Sequence, residues 1–263
     1  MEDILQKIIE KKRQEILLHK EILTPDMLYK QVEERIQNYP SRSFSRALVN
    51  SSTGIIAEFK RKSPSLGWIK EEGKPDVIPS SYEANGASAL SILTDQHFFG
   101  GDMNFIRIAR PAVSIPILRK DFILDEYQIY QAKDIGADAI LLIAACITKE
   151  ECKMLTKKAL ELNMEVLLEV HNEQELDYIL PEINMVGVNN RDLKTFQTHI
   201  DTSFYLGEKI PQDKVKISES GLADADIIKE LQSAGFDGFL MGERFMKTSN
   251  PGEALKDFIG MLS

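Results

Sequence analysis

The chain has 263 residues, 43% of them hydrophobic, and its 32 Lys plus Arg face 41 Asp plus Glu for a net charge of −9. That length can bury one large core without forcing two domains, because barrel folds run to about 250 residues as a single unit, so one domain over 1–263 is expected. The acidic balance repels phosphate backbones and argues against a nucleic-acid partner, so a phosphorylated ligand would need a local site.

The first forty or so residues read as two helices, an extension assigned to residues 1–48. Ile4, Leu5, Ile8, Ile9, Ile16 and Leu17 recur at three- and four-residue spacing, and Thr24-Pro25 breaks the pattern before Asp26 restarts it. The N-terminus mixes acids and bases without an apolar signal core, and the longest apolar run, 139–147, is far shorter than the ~18 residues a membrane span needs. A cytoplasmic protein with no membrane partner is expected.

After Pro40 and the Ser-rich stretch Ser41 to Ser45, short aliphatic runs alternate with amphipathic stretches, the pattern of repeated βα units. The runs are 54–61, 89–95, 115–122, 139–145, 165–171, 185–191, 214–220 and 238–243. There are eight, the number that closes a (β/α)₈ TIM barrel, and they recur near the ~25 residues of one βα unit. The first interval is longer because of residues 63–73, a length that invites a functional reading. Gly86, Gly136 and Gly235 each stand between a helix and an aliphatic run, where a left-handed helix cap feeds a strand. A doubly wound sheet would show the same caps, so the number of runs decides the fold class.

Most runs stay apolar until their last residues, where Glu58 and Lys60, Asp95, Lys120 and Asp121, Glu169 and His171, Asn189 and Arg191, and Glu219 and Ser220 gather. In a barrel these ends converge on one mouth. Alternation along the first run places Glu58 and Lys60 on the same face, within reach of each other. Such a pair can serve packing alone, but several other charged ends share the mouth, and that clustering points to chemistry. Ser220-Gly221 and Gly242-Glu243 follow the seventh and eighth runs, where barrels offer backbone N–H groups to phosphate.

The remaining signals are quiet. His19 and His199 read as surface residues, His97 as a loop residue and His171 as a residue after a strand, none with a metal-ligand partner at recognisable spacing. Cys146 and Cys152 are too few for a disulfide framework. No dinucleotide fingerprint, Walker loop or nucleophile elbow is present. Phe98-Phe99 and Phe122 flank the mouth, either as core residues or as a clamp for a flat ring.

Taken together, Glu58-Phe59-Lys60-Arg61-Lys62-Ser63-Pro64-Ser65, Leu93-Thr94-Asp95 with Phe98-Phe99, Lys120-Asp121-Phe122, Leu168-Glu169-Val170-His171, Asn189-Asn190-Arg191-Asp192-Leu193 and Ser218-Glu219-Ser220-Gly221 resemble, in order, the motifs of the indole-3-glycerol phosphate synthases of tryptophan biosynthesis. The resemblance runs from the N-terminal helices to about Met246. It implies a (β/α)₈ barrel with an N-terminal helical extension, needing no metal or cofactor. The implied reaction converts 1-(2-carboxyphenylamino)-1-deoxyribulose 5-phosphate to indole-3-glycerol phosphate, carbon dioxide and water.

The resemblance makes Lys120 the general acid at the ketone oxygen and Glu169 the acid/base of the dehydration half. Lys60 becomes the anchor of the substrate carboxylate and a second candidate for acid duty. Glu58 and Glu219 would orient the lysines, Asn189 would hold hydroxyl or carboxylate groups, and Arg191 would support the acids. Ser63, Ser220, Gly221 and Gly242 would hold the phosphate, and Phe99, Phe122 and Leu141 would enclose the aromatic ring. Glu243 departs from the pattern, because a carboxylate facing phosphate is repulsive; its side chain is expected to point away while its N–H donates. The doubled Gly100-Gly101 is also looser than the family pattern.

Two rivals remain at this level. A related phosphosugar isomerase would need a Cys/Asp acid–base pair at its first and later strand ends, whereas the first strand here carries Glu58 and Lys60. A non-catalytic barrel that binds a phosphorylated metabolite would have little use for the full acid–base set. A monomer, at most weakly dimerising, is expected.

Overall fold

Each aliphatic run becomes a parallel strand buried on both faces, which is why the runs are near-continuous rather than alternating. The strands are β1 (Ile55–Phe59), β2 (Ala89–Leu93), β3 (Ile117–Lys120), β4 (Ala139–Ile143), β5 (Glu165–Val170), β6 (Met185–Asn189), β7 (Val215–Glu219) and β8 (Gly238–Met241). Every strand pairs in parallel with its successor, and β8 closes on β1 to complete the barrel. This computed structural model describes residues 4–38, 41–192, 195 and 197–262; Met1 to Asp3, Pro40 and Leu193 of the sequence patterns lie outside the described residues.

The strands stop a residue or two before the runs read from sequence, because the polar residues at their ends leave the ladder for other duties. Asp95 caps the short helix Gln96–Phe99, accepting from the N–H groups of Phe98 at 2.8 Å and Phe99 at 3.3 Å. His97 therefore sits in a helix, not a loop. Ser220 and Gly221 turn sharply away with φ of 66° and 74°.

Inside the barrel, side chains stack in layers drawn from alternate strands. Glu58, Lys120, Glu169 and Glu219 come from β1, β3, β5 and β7 and line one cavity. Two residues earlier on the same four strands, and so on the same inward face, stand Ile56, Leu118, Leu167 and Ile217, each 0% exposed. An aliphatic floor thus lies beneath a charged layer.

Three helices precede the barrel, one more than the periodicity predicts: α1 (Ile4–Ile22), α2 (Pro25–Asn38) and α3 (Phe44–Val49). The Ser-rich stretch that reads as a break starts α3, with Ser43 as a favourable N-cap accepting from Arg46 N–H at 3.2 Å. Glu165 at the start of β5 accepts Ser43 Oγ at 2.8 Å and Ser45 N–H at 2.7 Å, so α3 is fastened to the base of the barrel. α1 lies at the opposite end. Leu17, placed in the apolar stripe by its spacing, is exposed, while Lys12 is buried.

Gly86, Gly136 and Gly235 all adopt positive φ, as the helix-to-strand turns require. The β5–β6 connection departs from regular alternation. It carries only a 3₁₀ segment, Glu173–Tyr178, because Pro181 and the start of β6 leave no room for further helical turns. Among the described residues no helix is long and apolar enough to cross a membrane.

Candidate active site

The strand ends bring together residues that are far apart in sequence. A cavity of about 230 Å³ is lined by Glu58, Lys60, Lys120, Glu169, Asn189 and Glu219 at its base. The three glutamates are 3%, 3% and 2% exposed, so their carboxylates must find partners within the protein. Lys120 Nζ lies 3.1 Å from Glu169 Oε2 and bonds Glu219 Oε2 on its other side, while Lys60 Nζ sits 2.6 Å from Glu58 Oε1.

Two glycines make room for the acids. A Cβ on Gly242 would lie 2.7 Å from Glu58 Oε1, and one on Gly187 would lie 2.5 Å from Glu219 Oε1. Gly242, expected from its position to serve a phosphate loop, is thus also small for the sake of Glu58. Gly187 carries no sequence signal beyond interrupting an aliphatic strand.

Three carboxylates share two ammonium groups here, and the protonation equilibria follow from that imbalance. Burial works against a charged Lys120, but Glu219, Glu169 and Glu58 outweigh it and hold its pKa above the ordinary lysine value. Burial also works against a charged Glu169, yet Lys120 and His171 keep it below the usual carboxylate range. Glu219 loses this competition: burial, with Glu169 and Glu58 nearby, overrides Lys120 and pushes it up to about 7. Its Oε1 is buried without a hydrogen-bond partner. The site therefore holds one committed cation, one committed anion and one acid that titrates near neutrality, a set suited to moving protons.

Asn189 Nδ2 donates to Glu169 Oε1 at 3.1 Å, and its Oδ1 accepts Arg191 N–H at 3.0 Å. Arg191 borders the same cavity. His171, in sequence an ordinary residue after a strand, stands 3.1 Å from Glu169. Burial opposes its charge, but Glu169 and Glu175 flank the ring and raise its pKa to about 10. Only the coincidence of His171 with Glu175 at a four-residue interval could have flagged it.

One wall of the cavity is made by Ser220, Gly221, Gly242 and Glu243, beside Ser63, Pro64 and Ser65. Gly221 has no freedom to become larger, because a side chain there would run into Thr198 at a φ that L residues avoid. Ser63 belongs to a two-stranded ribbon, Lys62–Ser63 with Gly67–Trp68, which fills the long interval after β1. Glu243 pairs with Lys247 at 2.5 Å, one helical turn on, so its carboxylate is occupied by a cation. The opposite wall is apolar, with Leu141 and with Phe99 and Phe122 at a centroid separation of 6.1 Å. Ile4, Leu5 and Ile8 of α1 also line the cavity, a role their helical spacing did not disclose.

Asp95 and Asp121, two of the charged strand ends, serve a different purpose. Lys12 from α1 inserts between them at 3.0 and 2.9 Å, and Arg119 bonds Asp121 at 2.9 Å. Thr94 Oγ1 also donates to Asp121 at 2.6 Å. Burial disfavours ionised Asp121, but Lys12 and Arg119 reverse the balance and hold it well below the usual carboxylate range. This buried network ties α1 to the ends of β2 and β3, beside Lys120.

The chain is similar to known proteins along nearly its whole length. A sequence model described as indole-3-glycerol phosphate synthase matches residues 5–258. An indole-3-glycerol phosphate synthase of Bacteroides thetaiotaomicron is 55% identical over 260 residues, covering 98% of each chain. One from Alkaliphilus metalliredigens is 43% identical over 256 residues, 97% of each. Among solved structures, 3-hexulose-6-phosphate synthase from Salmonella typhimurium superposes with a TM-score of 0.62 at 13% identity, covering 80% of this chain and 98% of that one, which speaks to the barrel fold alone. With a family match over nearly its full length and more than half its residues shared with a named relative, the chain belongs to the indole-3-glycerol phosphate synthase family.

Proposed function

We propose that the chain closes the indole ring, converting 1-(2-carboxyphenylamino)-1-deoxyribulose 5-phosphate to indole-3-glycerol phosphate with release of carbon dioxide and water, by general acid–base catalysis from lysine and glutamate side chains. The observation that carries the reading is the convergence of Lys120, Glu169 and Glu219 with Glu58 and Lys60 in one layer of the cavity, in a chain of this family.

In the first half, the ring carbon bearing the carboxylate attacks the ketone carbon, and the carbonyl electrons move to oxygen, which takes a proton from Lys120 Nζ. The raised pKa keeps that proton in place across the ordinary pH range. The bond to the carboxylate then breaks, carbon dioxide leaves, and its electron pair restores the aromatic ring. In the second half, the new hydroxyl takes a proton and departs as water, and loss of a proton from the adjacent carbon completes the indole. Glu169 is the acid/base of this half, and Glu219, bonded to Lys120, is placed to restore its proton.

Lys60 anchors the substrate carboxylate and is the second candidate for acid duty, with Glu58 holding it in place. Asn189 binds substrate oxygens, Arg191 supports the acids, and Ser63, Ser220, Gly221, Gly242 and the Glu243 N–H receive the phosphate. Phe99, Phe122 and Leu141 enclose the aromatic ring. The proposal includes a monomer, at most weakly dimerising, that binds no nucleic acid.

The test is to incubate the purified chain with the carboxyphenylamino substrate, without added metal or cofactor, and follow indole fluorescence. A rise proportional to enzyme concentration is expected. A folded protein that produces none overturns the proposal.

A further inference from the structure

Glu169 is held at both oxygens from inside the catalytic cavity, Oε2 by Lys120 and Oε1 by Asn189, each at 3.1 Å. A further group reaches it from outside that cavity. His171 Nε2 lies 3.1 Å from Glu169 Oε1, and Nδ1 lies 3.1 Å from Glu175 Oε2. With the ring protonated, that contact is an ion pair with Glu169.

Glu175 is itself fixed. Its Oε2 accepts the His171 backbone N–H at 2.7 Å and its Oε1 accepts Asn172 Nδ2 at 2.7 Å. Asn172 Oδ1 in turn accepts Glu175 N–H at 3.1 Å, the cap of the 3₁₀ segment. His171 and Glu175 border a second, polar cavity of about 480 Å³, which shares Leu5, Asn189 and Arg191 with the catalytic one.

We infer that His171 is a positioning residue for Glu169: clamped by Glu175 as an imidazolium, it keeps the Glu169 carboxylate ionised and aimed at Lys120. The inference rests on the synthase reaction proposed above, in which Glu169 must return to its ionised form after each turnover. The layer needs such a charge. Its three glutamates pair with Lys60 and Lys120, and a further cation relieves the competition of Glu169 and Glu219 for Lys120. The other ionisable groups facing the pair are Glu58 from β1, Glu219 from β7 and Arg191 beyond β6, with Asp192 and His199 across the second cavity. The elevated pKa of His171 is consistent with a permanent charge there at neutral pH.

The experiment compares the pH profile of kcat for the full chain and for His171→Gln and Glu175→Gln. His171→Gln removes the charge while keeping a polar side chain of similar reach. Its kcat should fall about 10- to 100-fold, at or below the low end of what a direct acid–base group contributes, with KM within about threefold. Its acid limb should move to higher pH, because Glu169 loses a stabilising cation. Glu175→Gln leaves His171 in place but removes its counter-charge, so the same limb should move in the same direction by less. A role in folding alone would lower the amplitude of the profile and leave its limbs in place. If both variants keep the wild-type limbs and kcat, the inference is overturned. Failure of the wild-type chain to make the indole product would instead remove the proposed function, so the two failures are distinguishable.

Discussion

Gly187 on β6 stands so close to Glu219 on β7 that a methyl group on its Cα would lie 2.5 Å from Glu219 Oε1. Glu219 can engage Lys120 with its other oxygen only because that space is empty of side chain. Gly187→Ala should therefore displace the Glu219 carboxylate and reduce kcat by roughly 100-fold, the scale of a misplacement near 1 Å at a reacting centre. Steady-state kinetics check this against a far-UV spectrum that should be unchanged. An alanine variant with wild-type kcat would show that the exact placement of Glu219 is immaterial.

Lys120→Met deletes the proposed proton donor and leaves two buried glutamates without their shared cation. Turnover should drop by about 10²- to 10⁴-fold, the contribution of a positioned acid. The fold should persist at room temperature, because Glu219 can take up a proton to relieve the excess charge. Fluorescence turnover and thermal melting on the same preparation separate the two effects, and substantial residual activity would remove Lys120 from its role.

The Lys12 network predicts a stability effect at a distance from the chemistry. Lys12→Met takes the shared ammonium from Asp95 and Asp121 in the interior and leaves Arg119 paired with Asp121. Breaking a buried pair in this way costs about 3–5 kcal/mol, readable as a lower urea midpoint. Asp121 has its pKa depressed by folding, so its stabilisation is present above the ordinary carboxylate value of about 3.9 and is lost as pH falls below it. The variant should accordingly lose less stability on acidification than the wild type. Equal urea midpoints for the two proteins at neutral pH would contradict the account.

His171 gives stability the opposite pH dependence. Its folded pKa of about 10 lies above the unfolded value of about 6.5, so the folded state binds the extra proton. The stabilisation is complete below about pH 6.5 and disappears as pH rises towards 10. The stability difference between wild type and His171→Gln, measured by urea titration, should shrink across that window. A difference that stays constant from end to end would mean that His171 carries no charge in the folded protein.

The sequence disclosed the barrel because buried parallel strands leave an unmistakable record: eight aliphatic runs, most of them closing on polar residues and several entered through a glycine. Glu58, Lys60, Lys120, Glu169, Asn189 and Glu219 were legible for a related reason, since half-buried strand ends rarely tolerate ionisable groups that are not paired, hydrogen-bonded or used. Two kinds of residue were not legible. Lys12 lies on a helix with many charged neighbours, and nothing local distinguishes the lysine that enters the interior from those facing water. Asp95 and Asp121 had the right position for the mouth, but their partners come from α1, more than 80 residues away for the nearer of them. His171 and Gly187 act through a neighbour's carboxylate, and such dependence appears only when the neighbour is in view. Helix α3 was hidden by its own cap, because serines that begin a short helix look like serines in a loop.

The stacking of side chains from alternate strands also bears on how such a protein could change its substrate. Glu58, Lys120, Glu169 and Glu219 occupy the odd-numbered staves of the barrel, whereas Leu93, Leu141, Asn189 and Gly242, which line the same cavity, belong to or directly follow the even-numbered ones. The two sets interlock at particular teeth: remodelling the even-numbered one must spare Gly187, Asn189 and Gly242, because each abuts or bonds a carboxylate carried by the odd-numbered one.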